Sequence, residues 1–246
     1  LRPSFRDKYE LRWQRPKRQP LLNLPSGVAL LVYFSLAVHV FRMFLPQSLD
    51  NWVLFLGGFI PARFLSLFQG GEHSVSSVLL NILPLFSYNF LHADWMHLIF
   101  NLLWLMVFGS MVGRRLNEDR EGTLRLLELF FVTGLSGALL HFAFYPGAAV
   151  PLIGGSAGVA GLMGAAARIL FASYDFSRAR RPYIASLTER RVLAFSAIFV
   201  GVNVMIGVMG GDLFGVEGGS IAWQAHIAGY FAGLLLYPVF DRMPRR

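Results

Sequence analysis

The chain has 246 residues with 55% apolar and only 15% charged side chains, a mean hydropathy of +0.52 and 23 phenylalanines. An ordinary soluble domain carries about 25% charge, so this composition holds more apolar mass than one water-facing core accommodates and excludes disorder, coiled coil and collagen. The absence of cysteine excludes a disulfide scaffold, a thiolate zinc site and a cysteine nucleophile, while the net charge of +8 raises the question of where the basic residues sit.

Taken in chain order, residues 1–26 form a basic, proline-containing tail without the apolar run and small-residue cleavage site of a signal peptide. A membrane-crossing helix needs about 20 mostly apolar residues. Six segments meet this approximately: 28–45, 94–112, 126–145, 156–172, 192–209 and 223–240. Between the first two, residues 46–89 hold apolar pieces too short or too interrupted by Pro84 to cross. They read as amphipathic helices half-sunk at the interface; a seventh crossing there is the competing topology. A short tail, 242–246, closes the chain. The expected fold is an all-α, six-transmembrane-helix bundle with an embedded first loop, the membrane domain running over 27–241.

The charges orient this bundle. Basic residues cluster in the first tail (Arg2, Arg6, Lys8, Arg12, Arg15, Lys17, Arg18), after the second span (Arg114, Arg115, Arg120), after the fourth (Arg178, Arg180, Arg181, Arg190, Arg191) and in the last tail (Arg242, Arg245, Arg246). The alternate connections hold Arg63 alone, with no Lys or Arg in 145–155 or 210–222. Excess Lys and Arg mark cytoplasmic loops, so both termini are expected inside. The positive balance then reflects topology, and nucleic acid is not an expected partner.

Polar groups inside a span are costly and face a cavity or a partner. His97 and Asn101 lie four apart in the second span, on one helical face. The fourth opens on Gly154-Gly155-Ser156-Ala157-Gly158, a G-x-S-x-G pattern that leaves a serine hydroxyl accessible. The sixth holds His226 beside a small-residue stripe, Ala225, Gly229 and Gly233. Each has a packing explanation when taken alone. Together they share one shallow depth on three helices that run in the same direction. Glycine faces on spans four and six allow close approach, which would bring Ser156 to His226, the minimum nucleophile–base pair. His97 and Asn101 are then candidates for stabilising an oxyanion. No H-E-x-x-H occurs, and neither a metal nor a cofactor is expected.

His97-x-x-x-Asn101, Gly154-Gly155-Ser156 and Ala225-His226-x-x-Gly229-x-x-x-Gly233 resemble the three motifs of the rhomboid intramembrane serine proteases, in the same order and on the same helices. His92, Asn101-Leu102-Leu103-Trp104 and Leu162-Met163-Gly164 agree with that family's surroundings. The resemblance implies a Ser156 nucleophile, a His226 general base, no carboxylate third member, and an oxyanion hole built from the Ser156 N–H, His97 and Asn101. It implies transmembrane protein substrates cut near the outer surface of a bacterial cell membrane. It also implies that the fifth span and the 210–222 loop move to admit them. The alternative is a rhomboid-like protein that binds transmembrane helices without cutting them, although such proteins usually lack the serine or the histidine. A transporter or channel would instead need acidic residues or broken helices deep in the membrane.

Several positions depart from the family pattern. Gly113-Arg114-Arg115 lacks the usual glutamate, which leaves the loop anchor open. Ala157 replaces a glycine and adds a methyl group near the oxyanion hole. Trp52 and Arg63 are far apart where a Trp-Arg pair is usual. Ala160 replaces an aromatic ring that packs on the catalytic histidine. With no ring there, Ala160→Tyr or Ala160→Phe is expected to be tolerated or to raise activity by rigidifying His226; the competing expectation is that another side chain already fills the space and the new ring strains the contact. Asp94 is expected to cap the second span, with His39, Arg42 and Glu128 near span ends or cavities, His141 in packing and His73 solvated.

Reporter fusions after Arg18, Gly147 and Arg180 should read inside, outside and inside. An external Arg18 fusion would overturn the topology and the shared-depth argument with it.

Overall fold

The computed structural model describes residues 23–70, 74–172, 183–209 and 222–241. The basic residues of 1–22, 173–182 and 242–246, His73, and residues 210–221 of the fifth-to-sixth connection lie outside the described residues.

Eleven α-helices form in the described residues: α1 (Ser26–Met43), α2 (Gln47–Gly57), α3 (Pro61–Leu65), α4 (Val75–Ile82), α5 (Pro84–Ser87), α6 (Trp95–Trp104), α7 (Ser110–Leu116), α8 (Arg120–Phe144), α9 (Ser156–Leu170), α10 (Arg190–Met209) and α11 (Trp223–Phe240). A single π turn, Leu105–Gly109, joins α6 to α7 into one rod. No strand forms among the described residues; one isolated bridge pairs Phe59 with Leu152. The fold is all-α.

Among the described residues four rods are long and apolar enough to cross a membrane: Ser26–Met43, Trp95–Leu116, Arg120–Phe144 and Arg190–Met209. Their outward faces carry large apolar side chains, Leu30, Phe34 and Phe41 on α1 and Leu193, Ile198 and Met205 on α10 among them. A contiguous apolar surface of this extent calls for lipid rather than water. Among the described residues of 46–89 no helix reaches crossing length. Instead α2, eleven residues long, exposes the large apolar side chains of Leu49, Trp52, Phe55 and Leu56. Helix α8 starts six residues before the sequence-based boundary because Asp119 caps it, accepting from the Gly122 N–H at 2.7 Å. Asp94 caps α6 in the same way, accepting from the His97 N–H at 2.8 Å.

Helix α9 is the hub. It has only 15 residues, most of them buried, and is enclosed by α8 and α11. A helix surrounded by protein needs neither the length nor the lipid-facing side chains of a peripheral one. Its contacts with α11 bring backbone to backbone. A Cβ on Gly229 would lie 2.1 Å from the Ala157 carbonyl oxygen, one on Gly233 1.8 Å from that of Gly161, and one on Gly164 2.1 Å from that of Tyr230. On the other side, a Cβ on Gly161 would meet Thr133 at 2.2 Å and one on Gly137 would meet the Ala157 methyl at 2.5 Å. The Ala157 methyl therefore faces Gly137 of α8.

The anchors also differ from those expected. In place of the family glutamate, Arg115 forms a two-point ion pair with Asp241 at 3.0 and 2.9 Å, and Tyr237 donates to the same carboxylate at 3.2 Å. Arg114 donates to the Asn23 carbonyl at 3.0 Å, and Gly113 leaves room for Pro25. In the first loop Arg63 stacks on Phe55 and donates to its carbonyl at 2.7 Å. Arg42 is buried, paired with Asp50 at 2.6 Å and donating to the His92 carbonyl at 2.7 Å, so it ties α1 to the first loop and to the start of α6.

Ala160 shares a buried cluster with Tyr230, Leu234 and Val192. Tyr230 is fully buried and stacks on Phe199 with centroids 4.3 Å apart, so the space beside α9 is filled. Ala160→Phe should therefore lower the thermal midpoint in detergent, with a cost of roughly 1–3 kcal/mol. Gly233→Ala should destabilise at least as much, because its Cβ would meet backbone. Gly201→Ala has no neighbour within 4 Å of the added carbon and should leave the midpoint unchanged or raise it. Thermal unfolding of the three variants checks the set; an unperturbed Gly233→Ala protein would contradict the close contact.

Candidate active site

Ser156 is the first residue of α9, and the approach to it is held by backbone. Phe59 and Leu152 exchange hydrogen bonds at 3.0 and 2.8 Å, and the Gly154 N–H donates to the Tyr88 carbonyl at 2.9 Å. Tyr88, fully buried, donates its hydroxyl to the Gly134 carbonyl on α8 at 2.7 Å. Gly154 has φ +111°, a left-handed conformation that glycine adopts without strain. A Cβ there would lie 2.6 Å from His97 Nε2. The glycine thus meets two demands at once, the turn and the imidazole lying against it.

The α8–α9 contacts place Ser156 level with Ala138. Six residues of α8 continue beyond that level to Phe144, about 9 Å at 1.5 Å per residue. The serine is therefore recessed below the end of the bundle. From the first turn of α11, His226 directs Nε2 to Ser156 Oγ at 2.7 Å. That is within reach for proton transfer, and the N–H groups of the first turn of α9 have no intrahelical acceptor.

His97 and Asn101 stand on the facing helix, α6. The Ala93 N–H donates to His97 Nδ1 at 3.4 Å. In the neutral ring that arrangement puts the proton on Nε2, the nitrogen lying against Gly154. The His92 and His97 rings meet edge to face with centroids 5.1 Å apart. Asn101 is buried and donates Nδ2 to the His97 carbonyl at 2.8 Å, while its Oδ1 has no hydrogen-bond partner. The structure brings Ser156, His226 and His97 to one place. Asn101 lies one turn deeper, with its amide engaged on its own helix.

One residue of the site was not singled out in the sequence. Asn203 on α10 is buried, and its Oδ1 lies 2.9 Å from His226 Nδ1. The signal was present, since Asn203 is an amide in the middle of an apolar span. The sequence alone, however, does not show which face of α10 turns inward. His39 packs on Trp95, and His141 lies beside Tyr145, as packing residues do. Glu128 is exposed on α8.

Comparison with known proteins places the chain in a family. The Rhomboid domain family model matches residues 80–242. The chain is 29% identical over 153 residues to a rhomboid protease GlpG of Klebsiella pneumoniae, covering 61% of this chain and 46% of that protein. It is 32% identical over 152 residues to rhomboid protease GlpG of Serratia proteamaculans, covering 61% and 45%. It is also 32% identical over 152 residues to rhomboid-like protease 5 of Toxoplasma gondii, covering 59% and 15%. The chain thus spans about half the length of the bacterial relatives, and less of the Toxoplasma one. The family match covers well over half the chain and includes every residue of the site, on an integral membrane scaffold of apolar helices: the chain belongs to the rhomboid family.

Proposed function

We propose that this protein is an intramembrane serine endopeptidase that cleaves transmembrane proteins near the outer surface of a bacterial cell membrane, with both termini cytoplasmic and α9 and α11 completing six spans. The observation that carries this reading is the 2.7 Å contact between Ser156 Oγ and His226 Nε2 at a recessed helix N-terminus. In soluble surroundings a serine beside an imidazole is common. Inside an apolar bundle it must repay the cost of burying both groups, and a reaction is the natural return.

The chemistry follows from the geometry. His226 Nε2 accepts the Ser156 hydroxyl proton as Oγ attacks the carbonyl carbon of the scissile bond. Negative charge moves to the carbonyl oxygen, where the Ser156 N–H and His97 Nε2–H are placed to donate. Asn101 joins them if its second amide hydrogen turns outward. His226 then gives the proton to the leaving amine. A water molecule, deprotonated by the same nitrogen, releases the acyl group and restores the serine. The dyad has no carboxylate, and none is needed to balance these steps.

A purified-protein assay in liposomes with a generic transmembrane-helix substrate tests this. Ser156→Ala and His226→Ala should each abolish cleavage, with losses on the order of 10⁴-fold or more, and the double variant should be little worse than either. His97→Ala should lower turnover by roughly 10² to 10³, with Asn101→Ala equal or milder. Strong cleavage by folded Ser156→Ala protein would exclude the mechanism. Binding of the substrate helix without cleavage by the wild type would favour the non-cleaving alternative.

A further inference from the structure

We infer that Asn203 is the positioning residue for His226, fixing the ring's orientation and the tautomer in which Nε2 is free to take the serine proton. This rests on the catalytic role proposed above for Ser156 and His226, and it assigns a part of the site to α10.

The argument begins with the burial pattern of α10. Only Val192, Ser196 and Asn203 are buried along its 20 residues. Spacings of four and seven put them on one helical face. Two of the three are polar, in a helix whose other faces carry exposed Leu193, Ile198 and Met205. Burying an amide in an apolar bundle costs free energy unless it is bonded, so each polar group on this face needs a partner, and each has one. Ser196 Oγ lies 2.8 Å from Tyr230 Oη on α11, and Asn203 meets His226, one turn from Tyr230 on the same helix. Phe199 stacks on Tyr230 between them. The α10 face formed by 196, 199 and 203 is thus registered against the α11 face formed by 230 and 226.

Hydrogen-bond chemistry then fixes the proton. Asn203 Nδ2 donates to the Phe199 carbonyl at 2.9 Å. Turning the amide over would set its oxygen against that carbonyl, acceptor against acceptor, so Oδ1 is the atom facing His226. An amide oxygen only accepts, so His226 must donate from Nδ1. The neutral ring has one proton, which leaves the Nε2 lone pair directed at Ser156 Oγ. In serine triads a carboxylate orients the base and selects its tautomer; here a neutral amide does both, from a neighbouring helix. This also explains how His226 is held although position 160 offers no ring.

The test uses the full chain in liposomes and compares Asn203→Leu, of similar size but without an acceptor, with Asn203→Asp, which keeps one. Asn203→Leu should lower kcat by about 10²-fold with KM little changed. That is less than the roughly 10⁴-fold loss when the charged orienter of a soluble triad is altered. Asn203→Asp should retain activity within about tenfold of wild type. In micelles, ¹⁵N-histidine spectra, with the His226 signals identified by their loss in His226→Ala, should show Nδ1 protonated in wild type and in Asn203→Asp. That preference should disappear in Asn203→Leu. A kcat within twofold of wild type for Asn203→Leu, or a wild-type His226 protonated on Nε2, would overturn the inference. The spectra decide the tautomer even if Asn203→Leu fails to fold. Cleavage by Ser156→Ala would defeat the catalytic reading, while the spectra would still show whether Asn203 orients the ring.

Discussion

The site depends on two helices approaching until their backbones touch. Gly229 and Gly233 of α11 lie against the Ala157 and Gly161 carbonyls of α9, and Gly164 of α9 against the Tyr230 carbonyl. In lipid there is little hydrophobic force between helices, and association rests on close packing. A single methyl group at any of these glycines would separate the helices. Ser156 and His226 are borne on these two helices within one turn of their starts, so the distance between them follows from the distance between the helix axes. The same packing makes α9 short and enclosed, which recesses the serine.

Around this contact, hydrogen bonds tie the first loop to the bundle. The segment leading into Ser156 is tied to Phe59 and Tyr88, and Tyr88 is tied to α8. The first loop is therefore part of the wall of the candidate site. It positions Gly154 and with it the space occupied by His97. Arg42, buried near the end of α1, connects this loop to α6 through Asp50 and the His92 carbonyl. Breaking one partner of such a pair leaves an uncompensated buried charge, so the loop and the bundle are energetically coupled.

The family departures are compensated by packing. Near Gly113, where the glutamate is missing, Arg115 and Tyr237 bind Asp241, the residue that follows α11. The ring missing at position 160 is matched by Tyr230, which arrives from α11 and fills the space with Phe199. The extra methyl of Ala157 is accepted by Gly137. In each case the compensating residue lies on another helix or directly after one, far away in sequence.

The sequence by itself determined the all-α membrane class and the bundle's small-residue faces, and it marked His97, Asn101, Ser156 and His226 as candidate site residues within apolar spans. These follow from local quantities: apolar run length, helical period and the cost of polar groups in lipid. It also marked Asp94 as a cap, because capping is decided within four residues. Tertiary structure alone decided which face of α10 turns inward. Within 192–209 only Ser196 and Asn203 are polar, too few to set an inward face by period alone, and Asn203 was not assigned a place until its neighbours on α11 were known. The filling of the space beside Ala160, the partner of Arg115 and the tether through Tyr88 were likewise undetermined. Each is a contact between residues dozens of positions apart, and such contacts arise from the shape of the assembled bundle, which no single segment encodes.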